Sequence, residues 1–287
     1  SFVEREGQLG EQHGDNPIQP YTVRKELRTI RQALEWAAVR YGIPAPSWRV
    51  QDVRLPKAKG REPFRTHDQI KALVDAGTVE ADAAWETLYL NGPEIAELLD
   101  HVRSRDMEPW VYPMVAFVAL TGARRSEMIR SRAEDWDLAA GVVRVREKKR
   151  DSTVDLTFRE IDLHPKLIEA IRDWAKVRPS SPYMITIDGS RLDPDRASNG
   201  LSRALRKHPK WSKIRGFHAF RHSVASILAS EGVDQRYIDR ILGHQTEAMR
   251  RRYQHLLPRG VSRAIAILLE PHQDEARDRG SGQAPRD

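Results

Sequence analysis

The chain has 287 residues, 39% of them hydrophobic and 31% charged, enough for two domains or for one large and one small. It holds no cysteine, which excludes disulfides, thiol catalysis and thiolate metal sites, and no stretch approaches the ~20 apolar residues of a membrane span. A net charge of +7 and a pI near 9.7 favour a polyanionic partner, nucleic acid or an anionic surface.

Residues 1–20 are polar, lack periodicity and read as a flexible arm, not as a signal or transit peptide. From Thr22 the apolar positions Val23, Leu27, Ile30, Leu34 and Ala38 recur at three- and four-residue steps. This predicts an amphipathic helix that ends near Gly42-Ile43-Pro44. Arg24, Arg28 and Arg31 fall away from that stripe, on a face that is either solvated or turned to DNA. Between Arg49 and Arg65 six basic residues stand against two acidic ones, with Lys57, Lys59 and Arg61 interleaved with Pro56, Gly60 and Pro63. That composition reads as an interdomain linker close to a phosphate backbone. Short helices follow at Asp68–Asp75 and around Glu80–Leu88, so that residues 61–87 form a linker with short helices.

Asn91-Gly92-Pro93-Glu94 opens a helix with proline early and an acid in the first turn. The run Val111–Leu120 is a buried helix stopped at Thr121-Gly122. Gly141–Arg146 alternates as a strand and Thr153–Leu163 offers one or two more, joined by a charged turn at Glu147–Ser152. From His164 onward the pattern is helical except near Pro179–Pro182 and Asp188–Pro194, and residues 271–287 read as a disordered tail. Arg203 to Arg221 contains seven Lys or Arg and no acid, and Arg203, Lys207 and Lys213 are its candidate phosphate contacts. The fold class is mainly α with a small antiparallel sheet, α+β.

A few local patterns carry chemistry. Thr121-Gly122-Ala123-Arg124-Arg125-Ser126-Glu127 sets an arginine after a glycine turn at a helix start. Phe217-His218-Ala219-Phe220-Arg221-His222 puts His218 and Arg221 on one face of a helix. Leu242-Gly243-His244 ends the next helix, and Tyr253 follows nine residues after His244. Each has an ordinary structural explanation: a surface charge, a polar helix face, a glycine stop, a tyrosine packed among arginines. His218 and His222 share a spacing that can bind zinc, but neither the glutamate of such motifs nor a cysteine accompanies them.

Taken in order, these patterns resemble the active-site series of the tyrosine recombinases, the lambda-integrase-like family: Arg, hairpin Lys, His-x-x-Arg, Leu-Gly-His, Tyr. Thr121–Glu127 and Gly141–Lys148 resemble the family beyond the catalytic positions, and the likeness covers about residues 88–258. It implies a tyrosine-recombinase catalytic fold over 88–270, preceded by a helical core-binding DNA domain of which residues 21–60 are a part. The resemblance implies that Tyr253 is the nucleophile, leaving a 3′-phosphotyrosyl bond. Arg124 and Arg221 neutralise the phosphate, His218 and His244 add donors, and His218 accepts the tyrosine proton. Lys148 is the general acid, with Lys149 an adjacent rival, and Arg125 competes with Arg124 for the arginine role. Glu127 anchors the arginine helix and does no chemistry.

Because such an intermediate conserves bond energy, no cofactor is implied, neither metal nor ATP. The implied partner is double-stranded DNA bearing specific recombination sites, with no membrane. The segment Val261–Leu269 is read as a terminal helix that docks on a neighbouring protomer, giving a homotetramer on two DNA sites. The implied location is cytoplasmic, at the nucleoid. The alternatives are a nickase like the type IB topoisomerases and a non-catalytic DNA-binding protein of the same fold.

Overall fold

The computed structural model describes residues 20–55, 62–146, 158–243, 246–252 and 256. It divides into two units, residues 1–61 and 62–287. Among the predicted residues, Lys57, Lys59, Arg61, Lys148, Lys149, His244, Tyr253 and the segment Val261–Leu269 lie outside the described residues.

In the first unit helix α1 runs Pro20–Tyr41, starting two residues earlier than its apolar period because proline's fixed φ suits a first helical turn. None of its residues is buried, and Ile30 and Leu34 of the apolar stripe stay exposed. Arg31 is committed within the unit: it bonds Glu35 at 2.8 Å and the Trp48 carbonyl at 2.7 Å, tying the helix to the chain that follows it. Arg24 and Arg28 are exposed.

The second unit opens with α2 (His67–Asp75) and α3 (Ala81–Trp85). The latter is shorter than its pattern predicts, because the chain beyond it turns extended. Arg65 N–H donates to the Thr87 carbonyl and Tyr89 N–H to the Arg65 carbonyl, each at 3.0 Å. Next comes α4 (Gly92–Ser104), begun by a reciprocal cap in which Asn91 and Glu94 each accept the other's N–H at 2.9 Å. Its buried Ile95, Leu98, Leu99 and Val102 face α5 (Val111–Thr121), which is apolar all round and is the centre of the unit.

Past Gly122 and α6 (Arg125–Arg130), a three-stranded antiparallel sheet forms in the order β1 (Trp136–Asp137), β2 (Val142–Arg146), β3 (Phe158–Asp162). Its inward face carries Val143 and Val145 opposite Ile161 and Arg159. Helices α7 (Pro165–Val177), α8 (Pro194–Leu205) and α9 (His218–Ser230) then pack around α5. Gly200 of α8 leaves room for Trp110, whose ring would lie 2.5 Å from an added Cβ.

Helix α10 (Gln235–Leu242) lies against α9 and β3, and α11 (Glu247–Arg250) follows. One expectation needs correction: residues 206–217 hold only a 3-10 turn at Trp211–Lys213 and no α-helix. Pro209 restricts its predecessor and removes a donor, and Gly216 sits at φ +97°. Strand β1 is an addition to the expected hairpin. Among the described residues no helix is long and apolar enough to cross a membrane.

Candidate active site

The site grows from the turn that ends α5. The Thr121 hydroxyl donates to the Phe117 carbonyl at 2.6 Å and accepts the Ala123 N–H at 3.2 Å, while Gly122 adopts φ +65°. That left-handed conformation favours glycine on its own. Space demands it too: a Cβ on Gly122 would stand 2.5 Å from Leu242 Cδ2. The Thr-Gly pair therefore stops one helix and seats the end of α10, the helix that runs into Gly243-His244.

Arg124 caps α6 in a reciprocal arrangement. Its backbone N–H and its Nη1 each donate to the Glu127 carboxylate at 2.8 Å. Glu127 is buried, and its second partner is Arg159 of β3, whose Nη1 and Nη2 fork onto the two carboxylate oxygens at 3.2 and 2.6 Å. Burial pushes the Glu127 carboxyl up, but the Arg159 hydrogen bonds and charge, with those of Arg124, outweigh it and hold the group down at about 2. Glu127 is thus an ionised strut. A permanently charged carboxylate with both oxygens occupied anchors well and shuttles protons badly.

Arg221 and His218 come from the first turn of α9, as their spacing predicts. Arg221 is buried, and its Nη1 donates to the Gly122 carbonyl at 3.1 Å. His218 reaches the surface. Partial burial, then the charges of Arg221, Arg124 and Arg125, push its imidazole below the ordinary range, so it is neutral at pH 7. Two pairs remote from each other in sequence, Arg124 with Arg125 and His218 with Arg221, thus share one electrostatic environment. Arg125 is turned aside: its Nη1 bonds the Ser198 hydroxyl at 2.7 Å on α8. That leaves Arg124 as the arginine of this motif with its guanidinium on Glu127. An open cleft of about 560 Å³ runs beside His218, past Ser198, Asn199, Ser202 and Arg215.

His222 stacks obliquely on the buried Phe64, ring centroids 4.3 Å apart, and lies 6.2 Å from the His218 ring. Phe64 also meets the chain just before Tyr253. Its N–H donates to the Arg252 carbonyl at 3.2 Å, the Arg252 guanidinium sits 3.8 Å over its ring, and Arg252 Nε donates to the Glu62 carbonyl at 2.9 Å. His222 is accordingly occupied by packing. Among the described residues no group of His, Cys, Asp or Glu is placed to hold a metal ion.

The remaining predicted contacts are dispersed. Arg203 on α8 pairs with Glu108 at 2.7 Å, Lys207 is exposed just beyond that helix, and Lys213 lies 5.8 Å over the Trp85 ring. Sequence reasoning missed Arg159 and Phe64. A signal for the first existed: in the alternation of β3 it falls in phase with Ile161 and Leu163, an arginine in the series that points inward. Phe64 stood in a segment whose prolines and charges read as linker.

Comparison with known proteins fits this geometry. The sequence model of the phage integrase family matches residues 88–259. The tyrosine recombinase XerC of Alcanivorax borkumensis is 26% identical over 243 residues, covering 82% of this chain and 69% of that protein. XerC of Azotobacter vinelandii is 31% identical over 147 residues, 47% of this chain and 44% of its own. The chain therefore spans less than half the length of the second. Among solved structures, the Tn1549 transposon integrase in complex with transposon right end DNA shares the fold. Its TM-score is 0.59 at 16% identity, over 91% of this chain and 82% of that one. The XerH recombinase bound to difH substrate aligns with a TM-score of 0.53 at 21% identity, over 64% and 55% of the two chains. With a family match that takes in more than half of its length, residues 88–259, the chain belongs to the phage integrase family, the tyrosine recombinases, enzymes that cleave and rejoin DNA.

Proposed function

We propose that this chain is a site-specific recombinase that cuts and reseals double-stranded DNA through a 3′-phosphotyrosyl bond to Tyr253, for the integration or excision of a mobile element. The observation that carries the reading is the junction at Gly122. Arg221 bonds its carbonyl, Arg124 follows two residues later, and the neutral His218 lies in the field of both.

A phosphodiester under attack gathers charge on its non-bridging oxygens, and fixed forked donors at that point lower the barrier. Arg124 and Arg221 supply forks that lysine cannot reproduce. His218 takes the proton of Tyr253, whose ordinary pKa is about 10, and His244 donates to the phosphate. The tyrosine oxygen bonds phosphorus while the bond to the 5′-oxygen breaks, and that oxygen leaves with a proton from Lys148, or from Lys149. In rejoining, a 5′-hydroxyl attacks, the tyrosine leaves, and the protons return. The phosphate bond is exchanged twice, so the cycle consumes no ATP.

The Tn1549 integrase and XerH, both solved with DNA, support DNA as the substrate class here. The exposed Arg24, Arg28 and Lys207, together with Lys57, Lys59, Arg61, Arg203 and Lys213, supply backbone affinity in this reading. A homotetramer on two sites, working at the nucleoid in the cytoplasm, completes it.

Covalent trapping tests it. The protein and its Tyr253→Phe variant are incubated with DNA of the source organism, quenched in detergent, digested with nuclease and mapped by mass spectrometry. A nucleotide adduct on Tyr253, absent from the variant, is the expected result, and the DNA recovered identifies the site. An adduct on another tyrosine overturns the assignment.

A further inference from the structure

The general base of this reading, His218, stands in the first turn of α9 and reaches the surface, and among the described residues its imidazole makes no hydrogen bond. Its ring does have a neighbour. His222 follows one turn later, and helical side chains lean toward the N-terminus, so the second imidazole is laid over the first. The ring centroids are 6.2 Å apart with planes 24° from parallel, inside the range of about 4.5–7 Å at which aromatic rings attract.

His222 is backed in turn by Phe64, whose ring lies 4.3 Å away at 30°. Phe64 is fully buried, and the main chain around it is tied down. Its N–H donates to the Arg252 carbonyl, and the next residue, Arg65, bonds Thr87 through its N–H and Tyr89 through its carbonyl. From there the Leu90 N–H donates to the Ser223 hydroxyl at 2.8 Å, which returns to α9 one residue after His222. Phe64, His222 and His218 therefore form a column of rings, rooted in the core at one end and open to the cleft beside His218 at the other.

We infer that His222 is a positioning residue for His218: backed by Phe64, it holds the base imidazole in the orientation that takes the proton of Tyr253. The inference rests on the proposed function and gives a task to a histidine outside the catalytic series. A flat face supplies the hold, not an exchangeable proton. Without it the His218 ring would visit orientations that miss the phenol, and a misplacement of about 1 Å costs about 100-fold in rate. A phenyl ring at position 222 keeps the column, whereas an amide keeps the polarity and loses the face.

The test sets these two properties against each other. Formation of the covalent complex is followed in a single turnover at saturating duplex carrying the site recovered by trapping, and affinity for that duplex is measured by gel shift. His222→Phe and His222→Gln are compared with wild type, each checked for cooperative melting. The expected result is a fall of about 10–100-fold for His222→Gln, with affinity changed less than about threefold. His222→Phe should stay within about threefold of wild type in both measurements.

Equal losses in the two variants would assign the role to the imidazole nitrogens and overturn the inference. So would full rates in both, or a glutamine loss that appears in affinity instead of rate. Should His222→Gln not fold, His222→Leu, apolar but without a flat face, must show the same loss. Failure of His222→Phe, or of both variants that lack a ring, to melt cooperatively assigns His222 to the fold alone and overturns it as well. A wild-type protein that forms no covalent complex sinks the proposed function and this inference with it, whereas wild-type cleavage with indifferent variants sinks the inference alone.

Discussion

Arg221 Nη1 donates to the main-chain carbonyl of Gly122 at 3.1 Å, so a side chain from α9 is fastened to the turn that presents Arg124 two residues later. The two arginines are held by different means: Arg221 by burial and this carbonyl, Arg124 by Glu127.

Arg124→Ala and Arg221→Ala should each lower cleavage by at least about 100-fold, the scale of losing one fixed donor to a transition state. Binding of the same duplex should change only a few-fold, since the dispersed basic residues supply most of the affinity. Paired measurements of covalent-complex formation and of gel-shift affinity check this. A binding loss as large as the cleavage loss would show that these arginines hold the ground state.

Gly122→Ala should destabilise the protein by about 2–4 kcal/mol, combining left-handed strain with overpacking against Leu242. Gly77→Ala is the control. It has φ +65° and no atom within 4 Å of the added Cβ, so only the strain remains, about 1 kcal/mol. Urea midpoints of the two variants separate the contributions.

The Glu127 carboxyl, held at about 2 against 4.5 when unconstrained, stabilises the fold by about 3 kcal/mol wherever it stays ionised. Its pKa is depressed in the folded state, so the contribution is complete above pH 4.5 and is lost as pH falls toward 2. Glu127→Gln leaves Arg159 buried opposite a neutral group and should cost about 3–5 kcal/mol near neutrality. Denaturation at pH 6, 4 and 3 should show the gap to wild type narrowing with acid.

How much of this the chain announced depends on how local each feature is. The series from Thr121 to Glu127 and from Phe217 to His222 could be read directly, because a cap, a glycine stop and an i,i+3 pair are set by neighbours in sequence. The strand Gly141–Arg146 was legible from its alternation, whereas β1 is two residues long and has no period to detect. Arg159 was visible only as an anomaly in its strand, since its partners lie 32 and 82 positions away. Arg31 and Arg203 looked like open charge, yet each meets a carboxylate. Sign and spacing mark a basic patch, but the pairing of its members is tertiary.

His218 supplies a pH signature. Its imidazole is pushed below 6.5, chiefly by partial burial and then by Arg221, so the basic form required to accept a proton is filled at neutral pH. Cleavage under kcat/KM conditions should therefore be flat near pH 7 and fall on an acidic limb lying below 6.5. His218→Gln should remove that limb along with most of the rate. A limb unchanged in the variant would assign it to another group.

The contacts of Phe64 bear on where this molecule can be cut. The family match begins at residue 88, which invites a fragment starting there. Such a fragment would lack a fully buried ring that supports His222 and would strip Arg252 of its acceptor at Glu62 and its donor at Phe64. Those lost hydrogen bonds would fall at Arg252, the residue before the proposed nucleophile Tyr253 and far from the new terminus in sequence. An excised second unit should therefore begin at or before Glu62, where the chain first stitches itself to the residue preceding Tyr253.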